Sequence, residues 1–376
     1  MRWITLVWIT HLLLHYCVVE SSSSSSSSGS TIHVAMTACY DQRLEEALTS
    51  IRSTITTAAQ SERLFFHIVH NETDGNDAVF QQVLTGWAKQ QTFRFALYHA
   101  QLPHDYVDKF APCACQRLFL HNVLPASVDR VIYLDSDTLL LDDIGHLHRE
   151  FVASSRLAAM GAEHEPKARM GHYRDTARHP YYDQNGVHGL NSGVFLLDLD
   201  RVRQMNNDWN EQLDSLRMEY EDRLVFYDQD LLNVYFHQHP EELHLLDSCR
   251  WNFRPDHCYF ISHCPDHPDR KISLLHGNRG VFHKPEGDKW SVMALLLVYQ
   301  AFRVPVTGIS QATPDLGTCV RAFTILSQAT KSWLTTVRPG EVTNNCQSNA
   351  LPSIVATLHA NCKRIQDARV ETRPEL

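Results

Sequence analysis

Short apolar runs alternate with segments whose apolar residues recur at helical spacing through most of this chain. Thr31-Ile32-His33-Val34-Ala35-Met36, Leu64 to Val69 and Phe93 to Tyr98 read as strands. Between the first two, Asp41 to Thr57 puts Leu44, Leu48, Ile51 and Ile55 on one helical face. A second helix is expected around Val79 to Gln90. Gln116 to Leu124 looks helical and delivers the chain to Val131-Ile132-Tyr133-Leu134. That run has no polar face, as in a central strand covered on both sides. The β-α-β-α-β order predicts an α/β fold with a mainly parallel central sheet. Further strands are expected at Leu157 to Met160, Val194 to Asp198 and Ile272 to Leu275. Helices are expected to start at Asp142-Asp143-Ile144 and at Asp228. The polar stretch from Glu163 to Gly189 reads as a long functional loop. Past Trp290 the pattern is helical.

The N-terminus changes the picture of compartment. Trp3 to Val19 is mostly apolar, interrupted by His11 and His15, and Ser21 to Ser28 follows as a low-complexity tether. With Arg2 on one flank and Glu20 on the other, this predicts a type II membrane anchor with the body in the ER or Golgi lumen. A cleaved signal peptide is the alternative. The expected organisation is an anchor over 1–20, a stem over 21–30, a catalytic domain over 31–300 and a helical extension over 301–376. The ten cysteines fit an oxidising compartment. Cys113-Ala114-Cys115 is too tight for a zinc pair, so disulfides are expected, their connectivity open. Asn71-Glu72-Thr73 is a glycosylation sequon. A net charge of −9, with no basic patch, argues against a nucleic-acid partner.

The apolar run at 131–134 leads straight into Asp135-Ser136-Asp137. Ligands of open α/β sheets bind at the carboxyl ends of strands. Side chains at i and i+2 of an extended chain share a face, so both carboxylates point one way. A hard divalent cation relieves their repulsion and commonly brings a phosphate with it. This predicts a metal-dependent enzyme acting on a nucleotide diphosphate. Asp198-Leu199-Asp200 and Asp228-Gln229-Asp230 repeat the spacing, and on spacing alone read as turns or helix caps.

Four ordered segments resemble glycosyltransferase family 8: YLDSD at 133–137, LNSGVFLLDLDR at 190–201, YDQDLLN at 227–233 and LLHGNRG at 274–280. Blocks at 162–166, 177–182, 251–258 and 276–283 resemble the glucoside xylosyltransferases within it. The resemblance implies a GT-A (Rossmann-like) fold. It also implies retaining transfer of xylose from UDP-xylose to O-linked glucose on EGF-like repeat proteins such as Notch-type receptors. It carries over Asp135, Asp137 and His276 as ligands of a divalent cation, with His283 as a second candidate. An imidazole among oxygens favours Mn2+. Gln229 and Asp228 are implied at the donor sugar, where Gln229 is a poor nucleophile and an ion-pair route is favoured. Donor contacts are implied for Ala38, Cys39, Tyr40, Arg117, Ser136, Asn191, Ser192, Gly193, Gly277 and Lys284. Glu163, His164, Arg178, His179, Trp251 and Arg254 are expected to shape acceptor and xylose pockets. Another retaining UDP-hexose transferase and a non-catalytic lumenal UDP-sugar-binding protein are the competing expectations.

Overall fold

The computed structural model describes residues 17–18, 29–39, 41–70, 76–99, 106, 112–164, 172–184, 186–206, 208–254, 271–282, 290–305, 313–336 and 351–371. Its strands are β1 (Cys17–Val18), β2 (Ile32–Thr37), β3 (Leu64–His70), β4 (Arg94–His99), β5 (Arg130–Leu134), β6 (Thr138–Leu140), β7 (Ala158–His164), β8 (Asp183–Gln184), β9 (Val187–Asp198), β10 (Leu243–Leu246) and β11 (Leu274–His276). The main sheet runs β1-β4-β3-β2-β5-β9-β7-β10, with β8 on the flank of β9. β4, β3, β2 and β5 pair in parallel. β9 then runs against both β5 and β7, and β10 rejoins β7 in parallel. The sheet is therefore mixed, with one reversed strand at its centre.

The longer helices are α1 (Asp41–Thr57), α2 (Asn76–Ala88), α3 (Ile144–Ser154), α4 (Trp209–Tyr220), α5 (Asp228–Gln238), α6 (Trp290–Phe302), α7 (Leu316–Thr336) and α8 (Leu351–Glu371). α1 has the predicted bounds because Leu44, Leu48, Ile51 and Ile55 all face one core. α3 begins where the paired aspartates suggested. The Asp143 carboxylate accepts from the Gly145 amide, a cap worth about 1 kcal/mol.

Three readings need correction. β9 starts at Val187 rather than Val194, so Asn191-Ser192-Gly193 lies inside a strand and not ahead of it. Its neighbours on both sides supply the pairing that local sequence does not advertise. The stretch 163–189 is not one loop: β7 reaches His164, and a short helix at His172–Asp175, β8 and the start of β9 follow. Finally, Cys17 and Val18, placed in the anchor by their apolar surroundings, form an edge strand against Leu97 and Ala96. Among the described residues no helix is long and apolar enough to cross a membrane.

A two-stranded sheet, β6 with β11, sits beside the main one and pairs His276 with Thr138. Its apolar side shares a core with α6, α7 and α8 through Leu139, Leu275, Val298, Leu326 and Leu358. Arg52 on α1 is buried there and donates to the carbonyls of Phe302 and Thr313 and to the Thr318 hydroxyl. A Cys319–Cys362 disulfide ties α7 to α8. The boundary expected at residue 300 thus falls inside α6.

Candidate active site

β5 ends at Leu134, and the chain turns through Asp135-Ser136-Asp137 into β6. Two backbone bonds set the geometry. The Asp135 amide donates to the Gly193 carbonyl at 2.9 Å, and the Gly277 amide donates to the Asp137 carbonyl at 2.7 Å. β9 and β11 thereby fix the two carboxylates from opposite sides. His276, the last residue of β11, lies with Nε2 3.7 Å from Asp135 Oδ2 and 3.5 Å from Asp137 Oδ1. Its Nδ1 is 2.9 Å from Asn252 Oδ1. That bond makes Nδ1 the donor and leaves the Nε2 lone pair facing the carboxylates, the orientation a metal ligand needs. All three ligand atoms lie within 4.8 Å of one another. Two carboxylates and one neutral imidazole suit a hard or borderline divalent cation.

The glycines here are steric requirements. A Cβ on Gly193 would lie 2.1 Å from His276 Cε1, and one on Gly277 2.3 Å from the Phe282 ring. The first neighbour is a candidate ligand itself, and the second is held by stacking on Tyr299. Burial pushes the Asp137 carboxyl up, but the hydrogen bond and charge pairing it makes with His276 when that imidazole is protonated, the state a bound cation would replace, outweigh this and hold it below the ordinary carboxylate range.

Behind the ligands lies Arg117, 4% exposed. Its Nη2 is 3.0 Å from Asp135 Oδ1 and its Nε 2.9 Å from Asp228 Oδ2. Nη1 donates to the Ser192 carbonyl at 2.6 Å, and the guanidinium lies over the Tyr133 ring. Tyr133 in turn donates to Asp135 Oδ1 at 3.0 Å and contacts Thr37. Arg117, expected at the donor, bridges the two carboxylates of Asp135 and Asp228 from the protein side. Burial raises the Asp228 carboxyl to about 6 although Arg117 opposes the shift. We read the pair as fully charged above that pH, since Arg117 holds its proton throughout.

Gln229 is fixed by its amide. Its Oε1 accepts from the Ser192 amide at 3.1 Å and from Asn191 Nδ2 at 3.2 Å. Its Nε2 donates to the Tyr173 hydroxyl at 3.1 Å. Tyr173 donates to Asp230 Oδ1, and His179 Nε2 lies 3.3 Å from Asp230 Oδ2. Asn191 also donates to Glu163 and accepts from Asn252. One polar chain therefore runs from the candidate ligand His276 through Asn252 and Asn191 to Gln229. Sequence reasoning singled out Gln229 and Asn191 but passed over Asn252 and Tyr173. Asn252 stood inside the block at 251–258, which was the available signal; Tyr173 lay in a stretch read as loop.

Other expected residues sort by position. The Cys39–Cys113 disulfide, Cα–Cα 5.8 Å, fastens the end of β2 to the turn before Arg117. Ala38 is buried and donates its amide to Val69. Ser136 turns its hydroxyl to Glu46 on α1, at 2.9 Å. Trp251 is fully buried in the apolar core and donates Nε1–H to Glu150, so no ring face is open for a sugar. Arg254 is likewise fully buried, paired with Glu163 at 2.5 Å. Arg254 thereby braces Glu163, which accepts from Asn191, and neither Trp251 nor Arg254 offers an exposed face to a ligand. Arg178 is exposed, and His164 closes β7. Tyr40, Asn71, His283 and Lys284 lie outside the described residues.

Residues 33–278 match the family model for glycosyl transferase family 8. Glucoside xylosyltransferase 1 of Gallus gallus is 40% identical over 271 residues, covering 68% of this chain and 60% of that protein. Glucoside xylosyltransferase 2 of Mus musculus is 41% identical over 67% of this chain and 58% of its own length. The Danio rerio glucoside xylosyltransferase 1 is 35% identical over 77% and 71%. The chain spans about 60% of the length of the first of these relatives. Among solved structures, apo mouse xyloside xylosyltransferase 1 superposes with TM-score 0.50 at 21% identity, covering 67% of this chain and 99% of that one. The galactosyltransferase LgtC with donor and acceptor sugar analogues gives 0.56 at 17%, covering 72% and 96%. At these identities the structures speak for a shared fold.

Proposed function

Since the chain belongs to glycosyl transferase family 8 and has a GT-A-like α/β fold, we propose that it moves xylose from UDP-xylose to a glucoside with retention. The observation that carries this is a complete donor-type ligand set, Asp135, Asp137 and His276, in a chain about 40% identical to glucoside xylosyltransferases. In this reading, the acceptor is an O-linked glucose on an EGF-like repeat, and the new bond is α-1,3.

Asp135, Asp137 and His276 would hold a divalent cation, of which Mn2+ suits the mixed oxygen and nitrogen set best. Bound there, the cation supplies neutralising charge to the donor's diphosphate. The protein's own work is positional. Arg117 keeps Asp135 and Asp228 ionised and aimed. Ser192 and Asn191 hold the Gln229 carbonyl oxygen. An amide is a poor nucleophile, so Gln229 serves better as a fixed dipole beside an oxocarbenium-like sugar centre than as a covalent partner. The oxygen departing with UDP is then the base that takes the acceptor's proton. Disulfides at Cys39–Cys113 and Cys319–Cys362 support a lumenal, secretory-pathway location, with the apolar stretch ahead of β1 engaging the membrane.

Turnover of UDP-xylose, UDP-glucose and UDP-galactose on a glucoside acceptor tests the donor assignment. Xylose lacks C6 and its hydroxyl, and even one methylene more or less in a pocket is worth roughly 10–200-fold in discrimination. UDP-xylose is expected to lead by that margin. A lead for either hexose donor would keep the family and discard the xylosyl assignment.

A further inference from the structure

A second set of metal-type ligands lies on the same sheet, away from the donor site. β3 and β4 are parallel neighbours, and their last residues, His70 and His99, stand opposite one another in register. Paired residues on adjacent strands project from the same face. The two imidazoles accordingly pack edge to face, ring centroids 4.5 Å apart. Asp77, in the first turn of α2, reaches across both. One of its carboxylate oxygens is 2.8 Å from His70 Nε2 and the other 3.4 Å from His99 Nε2. The three ligand atoms lie within 4.8 Å of one another.

We propose that His70, Asp77 and His99 form a second divalent-metal site, selective for a zinc-class ion. Zinc binds its nitrogen and oxygen ligands at about 2.0–2.2 Å in a tetrahedron, which spaces neighbouring ligand atoms about 3.4 Å apart. The His99–Asp77 separation already meets that spacing, and a small rotation of the Asp77 carboxylate brings its other oxygen away from His70. Two imidazoles and one carboxylate are a softer set than Asp135, Asp137 and His276, so the two sites sort metals by chemistry. The first prefers a manganese-class ion and the second a zinc-class ion. His70 is fully buried, whereas the side chains of Asp77 and His99 are half and about two-fifths exposed, so the ion enters from solvent on their side. Three protein ligands leave the fourth position to water, and the ion would clip the ends of β3 and β4 to the start of α2. The set stands two and three strands from β5 in the sheet order, so binding here does not depend on the donor site.

The test is calorimetric titration of Zn2+ into chelator-stripped protein carrying Asp137→Ala, which removes the donor site. One equivalent of zinc is expected to bind. Adding His99→Ala, at a strand-end position about two-fifths exposed, is expected to weaken binding beyond the roughly 10–100-fold typical of outer partners of a metal site. Replacing Zn2+ by Co2+ gives a second readout, the intense visible absorption of tetrahedral cobalt, lost in the same variant. Two results would overturn the proposal. One is folded Asp137→Ala protein that takes up no zinc, which would leave two imidazoles in ion-pair contact with one carboxylate. The other is His99→Ala binding zinc as tightly as its parent.

Discussion

Asp137→Ala is expected to lower sugar transfer by at least about 10²–10³-fold, the scale lost when one electrostatic stabiliser leaves a transition state. The variant should fold normally. Asp137 interacts with His276 and, through its carbonyl, with Gly277; the carbonyl bond survives the substitution. His276 also stays oriented by Asn252. What disappears is one of three ligands, so excess Mn2+ should restore little activity. Asp137 is a cleaner probe than Asp135, which also pairs with Arg117. Steady-state kinetics across a Mn2+ series check this. A variant with the parent's kcat and metal dependence would remove the carboxylate pair from the reaction.

The second large effect concerns Arg117. Arg117→Ala leaves Asp135 and Asp228 facing each other across a buried gap, with the Ser192 carbonyl and the Tyr133 ring face also stripped of their partner. Removing one member of a buried ion pair costs about 3–5 kcal/mol, because the remaining charge keeps its desolvation penalty. Asp228, already raised to about 6 with Arg117 present, is expected to take up a proton at neutral pH and relieve part of the strain. Arg117→Lys should recover only part of the loss, since an ammonium cannot reach Asp135, Asp228 and Ser192 in one plane. Urea denaturation of the three proteins measures this. A loss under about 1 kcal/mol for Arg117→Ala would mean that the carboxylates are hydrated and not locked.

The parts of the site that could be read from sequence share one property: their signal is local. Val131 to Leu134 is apolar without interruption because the strand is covered on both faces, and that run points to Asp135 and Asp137. α1 and α5 show themselves by helical spacing, and Asp143 by its capping chemistry. What stayed hidden depends on chain segments far apart. Asn252 acts by touching both His276 and Asn191, residues 24 and 61 positions away. Tyr173 matters because Gln229 and Asp230 meet its hydroxyl from another element. Gly189, at φ 85°, has no room for a side chain beside that ring, a constraint invisible without the fold. Trp251, an aromatic beside a polar block, reads from sequence equally well as a sugar platform or as core. Only its neighbours on α3 decide that it is core.

The resemblance to family 8 supplied what spacing could not, the choice of His276 among 23 histidines. The structure gives that choice a physical reason. β6 and β11 pair so that Thr138, next to Asp137, lies opposite His276, and Gly193 permits β9 to press against the imidazole. A histidine one residue earlier on β11 would point to the opposite face.

Sugar transfer itself is the most direct test of the proposed function. The decisive measurement is the intact mass of an O-glucosylated EGF repeat incubated with this protein, UDP-xylose and Mn2+. We predict the gain of a single pentose, absent after chelation and absent with Asp137→Ala. No mass gain from folded protein that binds UDP in the presence of Mn2+ would contradict the transferase reading.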